Sequence, residues 1–103
     1  MLKKAEKEIV CVAQFKAKEG KEAELLAGLH GLIPDTRREQ GNVRYELNQA
    51  IDDPRVITFI EKFASPEAFD FHCNTPYFKE FFNTVPPRLV DTLVVTLYKE
   101  VLP

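Results

Sequence analysis

NVRYELNQAIDDPRVITFIEKF, residues 42–63, holds two strand-like runs joined by one turn, and the topology of the whole chain hangs on it. Asn42 to Ala50 and Arg55 to Phe63 are rich in the β-branched and aromatic residues that suit a pleated surface. Asp52-Asp53-Pro54 between them is a turn signal. So short a connection returns the chain antiparallel beside itself, so the stretch reads as a hairpin. Upstream, Glu22 to about Gln40 carries Leu25, Leu29 and Leu32, with Leu26 and Ile33, at three- and four-residue spacing, the stripe of an amphipathic helix. Gly28 and Gly31 weaken that helix, Pro34 kinks or splits it, and Gly41 is its expected stop. Ile9 to Lys18 precedes it as a strand ending in a turn at Gly20. Downstream, Ser65-Pro66-Glu67 combines a hydroxyl cap, a proline at the first helical position and an acid at the positive helix end. Asn74-Thr75-Pro76 repeats that start, so the second helical segment is predicted to be broken in two. Thr92 to Val101 is the last strand. The order β-α-β-β-α-β predicts a ferredoxin-like α+β fold, a four-stranded antiparallel sheet with helices on one face.

At 103 residues and 45% apolar content, the chain is expected to be one domain, residues 9–103, behind a charged and flexible segment, residues 1–8. The formal net charge is −2, and the cationic run Lys3, Lys4, Lys7 is interrupted by Glu6 and Glu8. No basic stripe is available to displace counterions from phosphates, so nucleic acid is not an expected partner. No apolar run approaches the roughly 20 residues of a membrane-spanning helix, and no signal-peptide core is visible. A cytoplasmic protein is expected. Cys11 and Cys73 are isolated, as are the two histidines, which argues against a disulfide framework and against a metal site. P-loop, GxGxxG, HExxH and GxSxG patterns do not occur. Any chemistry must come from single side chains in a pocket that takes a small molecule.

The strands carry an expectation about assembly. A sheet with one face in water alternates apolar and polar residues. Here Ile9-Val10-Cys11-Val12-Ala13, Val56-Ile57 with Phe59-Ile60, and Leu93-Val94-Val95 with Leu97-Tyr98 are apolar on both faces, while there is helix enough to cover only one. A homodimer packed through the sheet face is predicted.

Among residues able to do chemistry, His72 sits at the end of the first piece of the broken helix, on the face of Phe69 and Ala68. It reads either as a general base for an acidic phenol or enol, or as a histidine tying the helix break by hydrogen bonds. His30 reads as a surface residue. Glu61 alternates in phase with Phe59 and Phe63, which places a carboxylate among aromatic rings, a costly position unless it is paired. It is expected either to orient a substrate or to be satisfied by Arg44 or Lys62. Tyr45 is an orienting phenol or a strand aromatic with a wet tip. Phe78, Phe81 and Phe82 cluster at i, i+3, i+4 beside Tyr77, which reads either as core packing, the common use of such a cluster, or as a wall of a cavity between the broken helix and the sheet, a common form of small-molecule site.

Several segments together resemble one family: Lys18-Glu19-Gly20-Lys21-Glu22, Thr36-Arg37-Arg38-Glu39-Gln40-Gly41, Tyr45-Glu46-Leu47, Phe59-Ile60-Glu61-Lys62-Phe63 and His72-Cys73-Asn74-Thr75-Pro76-Tyr77-Phe78-Lys79. The chain resembles the antibiotic biosynthesis monooxygenase superfamily, with its small quinol monooxygenases, from about Ile9 to Leu102. That resemblance implies a dimeric ferredoxin-like fold (a dimeric α+β barrel) and, in some members, oxygenation of phenolic or quinol substrates with no flavin, haem or metal. It implies His72 as base, Glu61 and Tyr45 as orienting groups, and Phe63 and Phe78, with Phe59 and Phe82, as substrate-binding walls. Two departures stand out. Many relatives carry Trp where this chain has Phe63. The haem-degrading branch places a histidine on the later helix, where this chain reads Phe78-Lys79-Glu80-Phe81-Phe82, so haem degradation is not expected. Another branch processes a phosphorylated signalling molecule, which would need cations such as Arg37, Arg38 or Arg44 at the pocket mouth. A non-catalytic dimeric module binding an apolar ligand is the remaining alternative.

Overall fold

The computed structural model describes residues 7–101. Residues 1–6 of the segment expected to be flexible lie outside the described residues. The elements are β1 (Ile9–Ala17), α1 (Glu22–His30), α2 (Ile33–Arg37), β2 (Asn42–Gln49), β3 (Val56–Phe63), α3 (Pro66–Cys73), α4 (Pro76–Thr84), α5 (Pro86–Leu89) and β4 (Val90–Tyr98). The sheet order is β2-β3-β1-β4 with every neighbouring pair antiparallel. This is the predicted ferredoxin-like α+β arrangement, with the hairpin's second strand inserted between β1 and β2.

Local chemistry explains most boundaries. Gly20 turns the chain at φ 80°, a conformation that glycine adopts without a steric penalty. Pro34 does not kink a continuous helix. The first helix ends at His30, and Pro34 sits in the first turn of α2, where a missing N–H costs nothing. Ser65 Oγ accepts from Ala68 N at 3.1 Å and Thr75 Oγ1 from Phe78 N at 3.3 Å, so both predicted caps start their helices. The one-turn α5 carries Pro86 at its start and was not legible as a separate piece.

Gly41 serves a different purpose from the one expected. Helix α2 ends at Arg37, so Gly41 is not its stop. It lies under α3, where a Cβ would come within 2.3 Å of Ala68 Cβ. The glycine lets the turn before β2 approach the helix that carries His72.

One sheet face packs on the helices. Cys11, Ala13, Phe15 and Ala17 of β1 and Ile57, Phe59, Glu61 and Phe63 of β3 are buried there, joined by Leu25, Leu29, Phe81 and Leu89 from the helices. On the other face Val10, Val12 and Ile60 are only partly buried, and Val94 and Tyr98 are half exposed. The helices also stop short of β4. Val95 and Leu97 pair with Ala13 and Cys11 and so share the helix face, yet both remain about half exposed.

Candidate active site

The break between α3 and α4 leaves space over the sheet. A cavity of about 170 Å³ lies there. Tyr45, Phe59 and Glu61 rise into it from the hairpin, Cys11 from β1, His72 from α3, and Phe78 and Phe82 from α4; Val95 lines it from β4. A void of about 150 Å³ lined by apolar side chains is enough to hold benzene, so this cavity suits a molecule built on one aromatic ring.

His72 is 3% exposed. Its Nδ1 lies 2.9 Å from Glu39 Oε2, and the Tyr77 hydroxyl donates to the same carboxylate oxygen. The ring is held among Phe63, Phe78 and Tyr45, with centroids at 4.9, 5.1 and 5.6 Å. Its Nε2 makes no hydrogen bond among the described residues, and the side chain lines the cavity. The helix break is tied as well, but by the backbone: Thr75 Oγ1 donates to the His72 carbonyl at 2.8 Å. The helix break is thus tied at the His72 carbonyl, while the imidazole is bonded to Glu39 instead.

Glu61 is 5% exposed, and Arg44 and Lys62, the two cations considered for it, pair with other carboxylates. Arg44 is bonded to Glu46 at 2.8 Å, and Lys62 reaches Glu100 and Glu8 on the far side of the sheet. The cross-hairpin pairing open from sequence is thus not made. Burial pushes the Glu61 carboxyl up to about 8; the Glu39 charge adds to this and the neighbouring Cys11 thiol offsets part of it. At neutral pH Glu61 is mainly a neutral acid able to donate a hydrogen bond. Tyr45 has no wet tip. It is 3% exposed and stacked on Phe59 at 4.3 Å, and burial together with Glu61 raises its phenol pKa. Thr36 Oγ1 is near enough to the Tyr45 hydroxyl to lower that pKa slightly, yet it makes no hydrogen bond of good geometry. Burial raises the cavity thiols too, Cys11 to about 12 and Cys73 to about 11, so neither is an activated nucleophile.

The structure brings His72, Glu61, Tyr45, Phe59, Phe78 and Phe82 to one cavity. Phe63 is the exception. It is fully buried, packed against the imidazole at 4.9 Å and Phe69 at 5.5 Å, both of which line the space while Phe63 does not. His30 is exposed, on a separate groove against β2. The three arginines considered for a phosphate are used elsewhere: Arg37 on the Tyr45 carbonyl, Arg38 on Asp35 and Arg44 on Glu46. None of them lines the cavity. Among the described residues no cluster of three potential metal ligands occurs, and no helix is long and apolar enough to cross a membrane. Sequence reasoning assigned no role to Glu39. It stands among Arg37, Arg38 and Gln40, whose charge suggests a solvated turn, and the one local signal against that is its phase: Glu39 lies seven residues after Leu32, in line with Leu25 and Leu29.

The chain belongs to the antibiotic biosynthesis monooxygenase family, whose model matches residues 8–84. A solved structure from Shewanella oneidensis, protein SO0527, is similar to it with 50% identity and a TM-score of 0.88 over 90% of both chains. The chain is also similar to the Bacillus subtilis protein named "Putative monooxygenase YcnE", 32% identical over 71% of this chain and 77% of that protein. The Synechocystis protein sll1783 is 30% identical over 95% of this chain and 67% of that protein.

Proposed function

We propose that the cavity is the active site of a monooxygenase that oxidises a small phenolic or quinol-type molecule without a cofactor. The observation that carries this reading is an imidazole anchored at Nδ1 whose Nε2 is left to a one-ring apolar cavity. His72 Nε2 takes the proton of the substrate hydroxyl. The electron-rich anion passes one electron to dioxygen, the resulting radical pair joins as a peroxide on a ring carbon, and the peroxide loses water to leave a carbonyl. Quinol and dioxygen thus become hydroxyquinone and water. Glu61 in its acid form donates to the second substrate oxygen, where charge develops. Tyr45 and Phe59 support one ring face, while Phe78 and Phe82 close the other side and keep water from the intermediates.

The enzyme is proposed to act as a homodimer. The outer sheet face presents Val12, Ile60, Val94 and Tyr98, all partly or half exposed among the described residues, and a second copy related by a two-fold axis would cover them.

The test is dissolved-oxygen uptake by metal-free protein with a panel of hydroquinones and naphthols, beside His72→Ala. The expected result is uptake above the spontaneous rate, fastest with one-ring quinols and lost in the variant. Equal traces for both proteins with every compound would refute the oxygenase reading and leave a ligand-binding module.

A further inference from the structure

Glu39 comes from the turn before β2, Tyr77 from α4 and His72 from α3, and they meet although 33 and 38 residues separate Glu39 from its two partners. We propose that Glu39 is a positioning residue, held by Tyr77, that fixes the neutral tautomer of His72 with the proton on Nδ1 and the lone pair of Nε2 toward the cavity. The inference rests on the oxygenase reading for its consequence in turnover, but not for its geometry.

Proton bookkeeping on one oxygen carries it. Glu39 Oε2 is shared by the Tyr77 hydroxyl and the His72 Nδ1. The phenol has one proton and two acceptors in reach, Glu39 Oε2 in close contact and the Asp35 carbonyl at 3.5 Å, beyond the ordinary O–H···O range; the proton goes to Oε2, so that oxygen serves as acceptor and the imidazole must supply the second proton. The opposite tautomer would set the Nδ1 lone pair against a carboxylate oxygen in a site where His72 and Glu39 are 3% and 8% exposed, so the repulsion is little screened by bulk solvent. Tyr77 keeps its proton throughout the working range, since partial burial and Glu39 push it up to about 12. The second Glu39 oxygen, Oε1, is buried with no partner among the described residues. The carboxylate is therefore held by Oε2 alone, and its orientation depends on the two groups that meet there. A fixed ring presenting Nε2 to an apolar space is what a general base requires, and the carboxylate stabilises the imidazolium once the proton has arrived. Tyr77 then restrains the carboxylate as the carboxylate restrains the ring.

Nitrogen NMR of protein labelled in its histidine rings tests this, with the exposed His30 as an internal reference. The wild type is expected to show His72 protonated at Nδ1 and bare at Nε2. Glu39→Met removes the acceptor at little cost in volume and is expected to move the proton onto Nε2. Glu39→Gln retains a carbonyl acceptor and is expected to keep the Nδ1 proton. In oxygen uptake, kcat should fall about 10²–10⁴-fold in the Met variant with KM changed less than about threefold, and the Gln variant should recover part of the loss. A wild-type His72 protonated at Nε2, or a Met variant with an unchanged tautomer, would overturn the proposal. The wild-type spectrum decides even where a variant fails to fold. Nδ1 protonation without oxygen uptake in any protein would support the positioning role and sink the oxygenase reading.

Discussion

Glu61→Gln separates a buried acid from a surface one through its effect on stability across pH. Burial moves the Glu61 carboxyl from 4.5 to about 8. Between those values the folded chain keeps a proton that the unfolded chain has released, so stability is fully present below 4.5 and is lost as pH rises through about 8. At about 1.4 kcal/mol per pH unit the whole span corresponds to about 5 kcal/mol, a large share of what holds a domain of this size together. Glutamine has nearly the shape of the protonated acid and does not titrate. Urea unfolding from about pH 5 to about pH 8.5, at one fixed protein concentration because association would add its own term, is the assay. The two proteins should be close in stability at the acid end, and the wild type should fall behind by several kcal/mol at the alkaline end. The cavity thiols do not blur the comparison, since burial places Cys11 and Cys73 at about 12 and 11 and their ordinary value is 9.0. Parallel curves for the two proteins would refute the claim that Glu61 is a buried neutral acid, and with it the donor role given to that residue.

Gly41→Ala places a methyl 2.3 Å from Ala68 Cβ, well inside the 3.5–4.0 Å that two carbons prefer, so α3 must move. The expected cost is about 1–3 kcal/mol, read as a lowered Tm and relieved in part by Ala68→Gly in the same chain; a Tm equal to wild type would show that the contact is slack. Val12→Asp sets a charge on the outer face of the central strand. In a sheet-to-sheet dimer it is expected to yield monomers by sedimentation at micromolar concentration, whereas a wild-type protein that is itself monomeric there would remove the dimer proposal.

Sequence alone was sufficient for the topology, because strand alternation, helical spacing and caps are short-range properties. Asp52-Asp53-Pro54 places a hairpin wherever the chain lies, and Ser65 and Thr75 start helices with their own hydroxyls. Glu61 and His72 were legible for the same reason. The phase of Glu61 with Phe59 and that of His72 with Phe69 turn both inward, and the cavity lies where the broken helix predicts. Tertiary structure decided everything that depends on which buried groups meet. Periodicity sets a face but not depth, so it cannot say that Phe63 packs against the imidazole while Phe59 lines the cavity. Nor does it fix the hairpin register that sets Arg44 opposite Lys62, on the outer face with Glu46, and leaves the buried Glu61 without it. Gly41 looked like a helix stop because that is the common local use of glycine, but its cause is Ala68 on another helix. Glu39 is the plainest case. Its phase with Leu25, Leu29 and Leu32 marks the face on which it lies, but its partner is known only when the chain closes 33 residues and brings His72 to it; that meeting is a product of the long-range packing of α3 against the turn before β2, which no local pattern encodes.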